Sequence, residues 1–113
     1  MFDSVTSVAL GSALDGLTLR QRTIANNIAN INTPNYHAKR IQFEDSLAAS
    51  VRSGDGYAAS TISTSQEPTQ VNGNNVNLDT ETLSNIDTVL RYQFAARAIG
   101  SEFTALRTAM RTS

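Results

Sequence analysis

Residues 10–31 read LGSALDGLTLRQRTIANNIANI, a pattern from which the first long helix is read directly. Leu10, Leu14, Leu17, Ile24, Ile28 and Ile31 follow one another at steps of four and three, with polar Gln21 filling the single gap. That is the a/d stripe of a heptad. Leu10, Leu17, Ile24 and Ile31 hold one position, and Leu14, Gln21 and Ile28 the other. The pattern predicts a helix from about Ser4 to Asn30. Asp3 is placed as its N-cap, where a carboxylate meets orphan amides and the positive end of the dipole. Thr33–Pro34 should end the segment, because a residue before proline is pushed out of the helical region.

The other end of the chain repeats the theme. Val89, Tyr92, Ala96, Ile99, Phe103, Leu106 and Met110 recur at steps of three and four without a break. Leu83, Ile86 and Leu90 extend the apolar face toward the N-terminus, slightly rotated from that seam. A helix from about Asp79 to Met110 is expected, with Asp79 as cap, Glu81 in the first turn, and Arg107 and Arg111 near the end to suit the macrodipole. Asp87 and Arg91 stand four apart, a small favourable pair. At about 1.5 Å per residue each helix is roughly 40 Å or more long. Two long helices with seams at opposite chain ends most simply pack against each other.

Between them the character changes. Residues 53–77 hold three large aliphatics (Ile62, Val71, Val76), while Ser, Thr, Gly and Asn fill 14 of the 25 positions. Turn signals stand at Gly54–Asp55–Gly56 and Asn72–Gly73–Asn74. Such a stretch buries too little apolar surface to offset its own ordering entropy, which suggests disorder or contact with a partner. Just before it, Ala38–Phe43 suits a short strand and Phe43–Val51 a helical turn or two. The expected architecture is mainly α: two long N- and C-terminal helices pairing as an α-helical coiled coil, with an irregular, partly disordered or short-β middle. It forms one structural domain, with residues 1–32 as helix and asparagine-rich turn, 33–78 as variable middle and 79–113 as the last helix.

Composition narrows the chemistry. The 113 residues carry 9 basic and 10 acidic side chains, which removes a whole-chain electrostatic drive toward nucleic acid or an anionic membrane. With no cysteine there is no disulfide framework, thiolate metal site or thiol nucleophile. No basic residue precedes Arg20, so no cleavable secretory signal peptide is expected, and no apolar run approaches the roughly 20 residues that span a bilayer. Phosphate-cradling glycine loops are absent. His37, the single histidine, reads as a solvated loop residue, and adjacent Glu44–Asp45 as a solvated face rather than a catalytic pair. Asp79 and Glu81 read as helix-start residues; a calcium loop needs more ligands at set spacing. No catalytic residue, cofactor or metal is expected. Lys39 and Arg40 with Arg20 and Arg22 suggest a small basic patch. Arg91, Arg97, Arg107 and Arg111 against Glu102 leave the last helix's end near +3 (four minus one), while residues 67–87 carry four acids and no base. Such separation can steer one subunit's end toward another's middle.

One local motif stands out: ANNIANINTPNY at residues 25–36. Asparagine is poor inside a helix because its amide competes with the backbone. Asn26, Asn27 and Asn30 at a helix end therefore cost stability unless their amides are used. Spacing serves two uses equally well: bonding the last carbonyls and the following turn, with Asn35 left-handed, or side-chain ladders between subunits.

This segment resembles the N-terminal signature of the flagellar rod and hook family, with Asn26, Asn27, Asn30, Asn32, Thr33, Pro34 and Tyr36 on the pattern and Asn35 at the usual glycine. Since Asn is the next-best residue for positive φ, the turn should survive. A second stretch, GNNVNLDTE at residues 73–81, is similar to the element before the last helix of the proximal rod member, matching at Asn74, Asn75, Val76, Leu78, Asp79 and Glu81, with Asn77 at a common Asp. The resemblance implies a structural subunit of the bacterial flagellar basal-body rod. It implies export by the flagellar type III apparatus, a place within the periplasm, and polymerisation into the drive shaft for motility. The partners it implies are copies of itself, rod proteins of the FlgC, FlgF and FlgG types, the adaptor FliE and the export gate, with no nucleic acid and no small-molecule substrate. Helix pairing and assembly would rest on Leu10, Leu14, Leu17, Ile24, Ile28, Ile31, Val89, Tyr92, Ile99, Phe103, Leu106 and Met110. Another rod-family member and a cytoplasmic helical adaptor or export chaperone are the alternatives; a small enzyme finds no site.

Overall fold

A computed structural model describes residues 5–112; Asp3 and Ser4, expected to open the first helix, lie outside the described residues. The element order is α1 (Val5–Ala29), β1 (Lys39–Gln42), α2 (Glu44–Arg52), β2 (Thr61–Thr64) and α3 (Leu78–Thr112). The molecule is a rod of 66 × 25 × 14 Å. No helix among the described residues is long and apolar enough to cross a membrane.

α1 and α3 lie side by side and antiparallel, since the Ser7 hydroxyl meets Glu102 at one end while Asn27 meets Glu81 at the other. Both helices are where the periodicity places them. α3 begins one residue earlier than expected, and its cap is Asn77 rather than Asp79: the Asn77 side-chain oxygen accepts from the amides of Asp79 (2.9 Å) and Thr80 (3.2 Å). A short amide directly before Leu78 reaches the orphan donors, leaving Asp79 in the first turn as a charge on the dipole.

The face that α3 turns inward also differs from the expected seam. It carries Glu81, Thr88 and Ala95, whereas Tyr92, Phe103 and Met110 are exposed and Val89, Ile99 and Leu106 half-buried. The Asn27–Glu81 contact fixes the rotation of α3 about its axis, and the apolar stripe follows from that. On α1, Leu17 and Ile24 are buried, Leu10, Leu14 and Ile31 half-buried, and Ile28 exposed.

The middle segment is a folded strap. β1 and β2 pair antiparallel, with Ile41 opposite Ile62 and Lys39 opposite Thr64. α2 follows β1 directly and lies on α1. The small apolar core sits there: Leu17, Ile41 and Phe43, with Ala13, Leu19 and Leu47 packed around them. Gly16 admits the Phe43 ring, because a Cβ at Gly16 would stand 2.6 Å from the ring's Cδ1. The middle, expected as irregular and partly disordered or short-β, takes the short-β form, and residues 53–77, expected to be disordered or to contact a partner, are ordered against the rest of the subunit. Asparagine hydrogen bonds hold them in place of apolar area.

Candidate functional site

The two asparagine motifs, some forty residues apart in sequence, meet at one end of the rod. Asn27 sits one helical step beyond Ile24 on the inward stripe of α1 and is fully buried. Its Nδ2 donates to the Glu81 carboxylate (2.7 Å) and to the Lys39 carbonyl (3.0 Å). Its Oδ1 accepts from the Lys39 amide (2.9 Å) and from the Tyr36 hydroxyl (3.3 Å). One amide thus joins α1, the turn, β1 and α3. Glu81 has no exposed surface, and its second carboxylate oxygen accepts from Arg40 at 2.8 Å. A buried carboxylate with a guanidinium and an amide as donors is fully satisfied, as its burial requires.

Asn74 closes the next layer. Its Nδ2 donates to the carbonyls of Asn30 and Thr33, both at 2.8 Å, and its Oδ1 accepts from the Val76 amide. The freed carbonyls just past the end of α1 therefore find a donor from the segment that leads into α3. Asn75 splices the sheet beyond β1: its Oδ1 accepts from the Ala38 amide (2.7 Å), and its Nδ2 donates to the carbonyls of Ser65 and Glu67. Asn35 is left-handed, with φ of 64°, and its amide donates to the Asn72 carbonyl at 2.9 Å. Facing it, Gly73 has φ of 82°, and a Cβ there would land on the Asn35 side chain. The spacing left two uses open for the asparagines. Asn27, Asn30, Asn74 and Asn75 are used within the subunit, whereas the Asn26, Asn32 and Pro34 side chains face outward.

A second junction lies halfway along the rod. Arg20 forks onto both carboxylate oxygens of Glu44 (2.6 and 2.8 Å), donates to the Ile41 carbonyl, and lies 4.9 Å from the centre of the Phe43 ring. The Arg20 hydrogen bonds hold the Glu44 carboxyl down at about 2, against the partial burial that opposes it. Arg91 of α3 reaches the same carboxylate at 3.5 Å and pairs with Asp87 at 2.9 Å, as the i,i+4 spacing predicts. Glu44, expected on a solvated face, is thus a clasp between α1, α2 and α3. The basic patch expected from Arg20 and Arg40 does not form either, because both guanidiniums are consumed by internal carboxylates.

These sites bind the subunit to itself. Each side-chain oxygen and nitrogen of Asn27, Asn74, Asn75 and Glu81 has a partner, so the arrangement fixes two helices relative to each other. Sequence reasoning placed Asn27 and Glu81 in motifs but missed their direct contact. The available signal was the step of three from Ile24, which sets Asn27 on the buried stripe.

Two long terminal helices, tied at one end through asparagine motifs and carrying much of their apolar surface outward, define a mainly helical subunit with surface left uncovered. Residues 9–37 match the family model described as "Flagella basal body rod protein". Similarity to a rod protein also extends over 89% of the chain, and the chain belongs to the flagellar basal-body rod protein family. The relatives are FlgB proteins. Identity is 30% over 115 residues to flagellar basal body rod protein FlgB of Bacillus subtilis, covering 89% of each chain. It is 31% over 102 residues to that of Borreliella burgdorferi, covering 70% of this chain and 76% of the relative. A third FlgB, from Borrelia hermsii, is 47% identical over 38 residues, 34% of this chain and 28% of the relative. This FlgB-like subunit is a structural component of the flagellar basal body that assembles with other rod proteins.

Proposed function

We propose that the subunit leaves the cell interior through the flagellar type III apparatus and polymerises in the periplasm into the proximal part of the rod. Neighbours there are further copies, rod proteins of the FlgC, FlgF and FlgG types, and the adaptor FliE beside the export gate. Transmission of torque needs many staggered contacts in a rigid lattice and no catalytic group.

The observation that carries this reading is the apolar surface the subunit leaves uncovered. Along α3, Leu83, Ile86, Leu90, Phe94, Phe103 and Met110 are exposed, while the buried core is small. So many exposed large apolar side chains on a small chain mark an interface. Burying it in an assembly supplies folding free energy that the isolated subunit lacks. The exposed seam residues Ile28, Tyr92, Phe103 and Met110, with Ile28 and Phe103 foremost, and the outward Asn26 and Asn32 are the positions assigned to lattice contacts.

The test is deletion of the gene with plasmid complementation, scored by motility and by electron microscopy of basal bodies. Loss of rod and hook with the membrane rings left in place supports an axial subunit. Normal flagella in the deletion strain would end this reading.

A further inference from the structure

α2 is seated on the subunit by a narrow face. None of its nine residues is buried, and Glu44, Leu47 and Ser50, at steps of three, are the ones that turn partly inward. The first is clasped by Arg20 and the second is apolar, but the third is ill suited to its place. The Ser50 hydroxyl oxygen is buried without a hydrogen-bond partner among the described residues. Such a group gives up its bonds to water and gains none in exchange. Val51, the next residue and an apolar one, is 45% exposed. Beside this face lies an open cleft of about 250 Å³ between the three helices, lined by Leu10, Ala13 and Leu17 of α1, Leu47 of α2, and Phe94 and Ala95 of α3. Glu44 and Leu47 border it; Val51 continues their stripe at a step of four but does not reach it. Phe94, on the opposite wall, is 76% exposed. An open apolar cleft, an unpaired hydroxyl and two exposed apolar side chains thus surround one short helix.

A single motion relieves all of these. Ser50 and Val51 are consecutive, so a roll of α2 about its axis by less than about 100°, one residue's step around a helix, exchanges their places. It carries the hydroxyl out to water and the valine into the cleft, against Leu10 and the Phe94 ring. Both ends of α2 permit the roll. Phe43 sits in the notch at Gly16 and makes no side-chain cap to the helix, so it serves as the pivot. Past the other end, Gly54 has φ of 88° and open space around it, and takes up the change. The Glu44 carboxylate turns with the helix on the long arms of Arg20 and Arg91, which approach it from α1 and α3.

We infer that α2 is a lid with two seatings: the one described above, with the cleft open, and a second, rolled toward α3, in which Val51 fills the cleft and Ser50 is hydrated. Two packings of one short element that trade a buried hydroxyl against a filled cleft form a bistable device. The two seatings belong to the single subunit and do not depend on its polymerisation. Closure also covers Phe94. The lid thereby decides whether the exposed run Leu83, Ile86, Leu90 and Phe94 on α3 ends in a bare ring or a covered one.

The chain contains no cysteine, so a disulfide reports the second seating without background. The full chain carrying Val51→Cys and Phe94→Cys is oxidised with diamide in dilute solution, and the products are separated by non-reducing electrophoresis. Both positions are exposed, so the reduced variant should keep the parent's circular dichroism. A crosslink within one subunit should form. Adding Ser50→Ala removes the unpaired hydroxyl, favours the open seating, and should slow that crosslink about tenfold. Two results overturn the inference: no crosslink within the subunit, with the thiols left free or joined only between subunits, or a crosslink that forms equally fast with Ser50→Ala. Neither result bears on whether rods are lost when the gene is deleted.

Discussion

Replacing Asn27 by Ala is expected to destabilise the folded subunit by about 3–4 kcal/mol. The side chain makes four hydrogen bonds: to the Glu81 carboxylate, to the carbonyl and amide of Lys39, and to the Tyr36 hydroxyl. Its removal leaves Glu81, which has no exposed surface, with Arg40 alone. Loss of a bond to a buried charge costs about 1.5–3 kcal/mol, and each orphaned backbone group about 1–3. The cavity is polar enough to admit a water that repairs part of this, which brings the sum down to the stated range. For a chain of this size that lowers the melting temperature by about 12–16 °C, at roughly 4 °C per kcal/mol. The measurement is thermal and urea unfolding followed by circular dichroism at 222 nm, with Asn26→Ala as control. Asn26 is one residue away and exposed, with its side chain in no hydrogen bond. Its replacement should be neutral or slightly stabilising, since Ala is the better helix former. A loss below about 1 kcal/mol for Asn27→Ala, or equal losses for both, would refute the claim that the junction locks the helices.

Two further outcomes follow from the second junction and the core. Glu44 has a folded-state pKa of about 2 against an ordinary 4.5, so the stabilisation from its clasp with Arg20 is complete above about pH 4.5 and is lost as the pH falls toward 2. Glu44→Gln should flatten stability across that window by no more than about 1 kcal/mol, because the carboxylate is 42% exposed and screened; an unchanged pH profile in urea titrations would count against the clasp. Gly16→Ala drives a Cβ into the Phe43 ring and should cost about 1–3 kcal/mol of packing, outweighing the gain of about 1 in helix propensity. Gly11→Ala, where the space is open, should stabilise by about 0.5–1; the opposite order in melting temperature would show Phe43 packed elsewhere.

Much of the architecture was legible because helices announce themselves by period. The heptad steps through Leu10–Ile31 and Val89–Met110 placed both long helices, Pro34 ended the first, and the short Ala38–Phe43 strand and following helix stood where β-prone and helix-prone residues change over. Asn35 took the left-handed turn expected of it. The rotation of α3 was not legible. Periodicity reports that a face is apolar, not whether the subunit or a neighbour covers it, and on α3 the inward stripe contains Glu81 and Thr88. The strap from 53 to 77 was unreadable for a related reason. Hydrophobic content measures apolar burial, whereas this segment is held by Asn74 donating to the carbonyls of Asn30 and Thr33 and by Asn75, which donates to Ser65 and Glu67 within the segment and accepts from the Ala38 amide. Whether Asn77 or Asp79 caps a helix is equally closed to sequence, since both residue types cap well and only two positions separate them.

The Asn27–Glu81 bond also sets an order of events for a chain that emerges from its N-terminus. Its partners are 54 residues apart, so the bond closes a loop whose entropy opposes it by about 3.5 kcal/mol. Until residue 81 is through, Asn27 has only Tyr36 and Lys39 as partners, and the first helix has no fixed companion. Completion then comes at once, because Asn74, Asn75 and Glu81 arrive within eight residues of one another. A subunit built this way stays pliable for most of its synthesis and sets only when its last third follows.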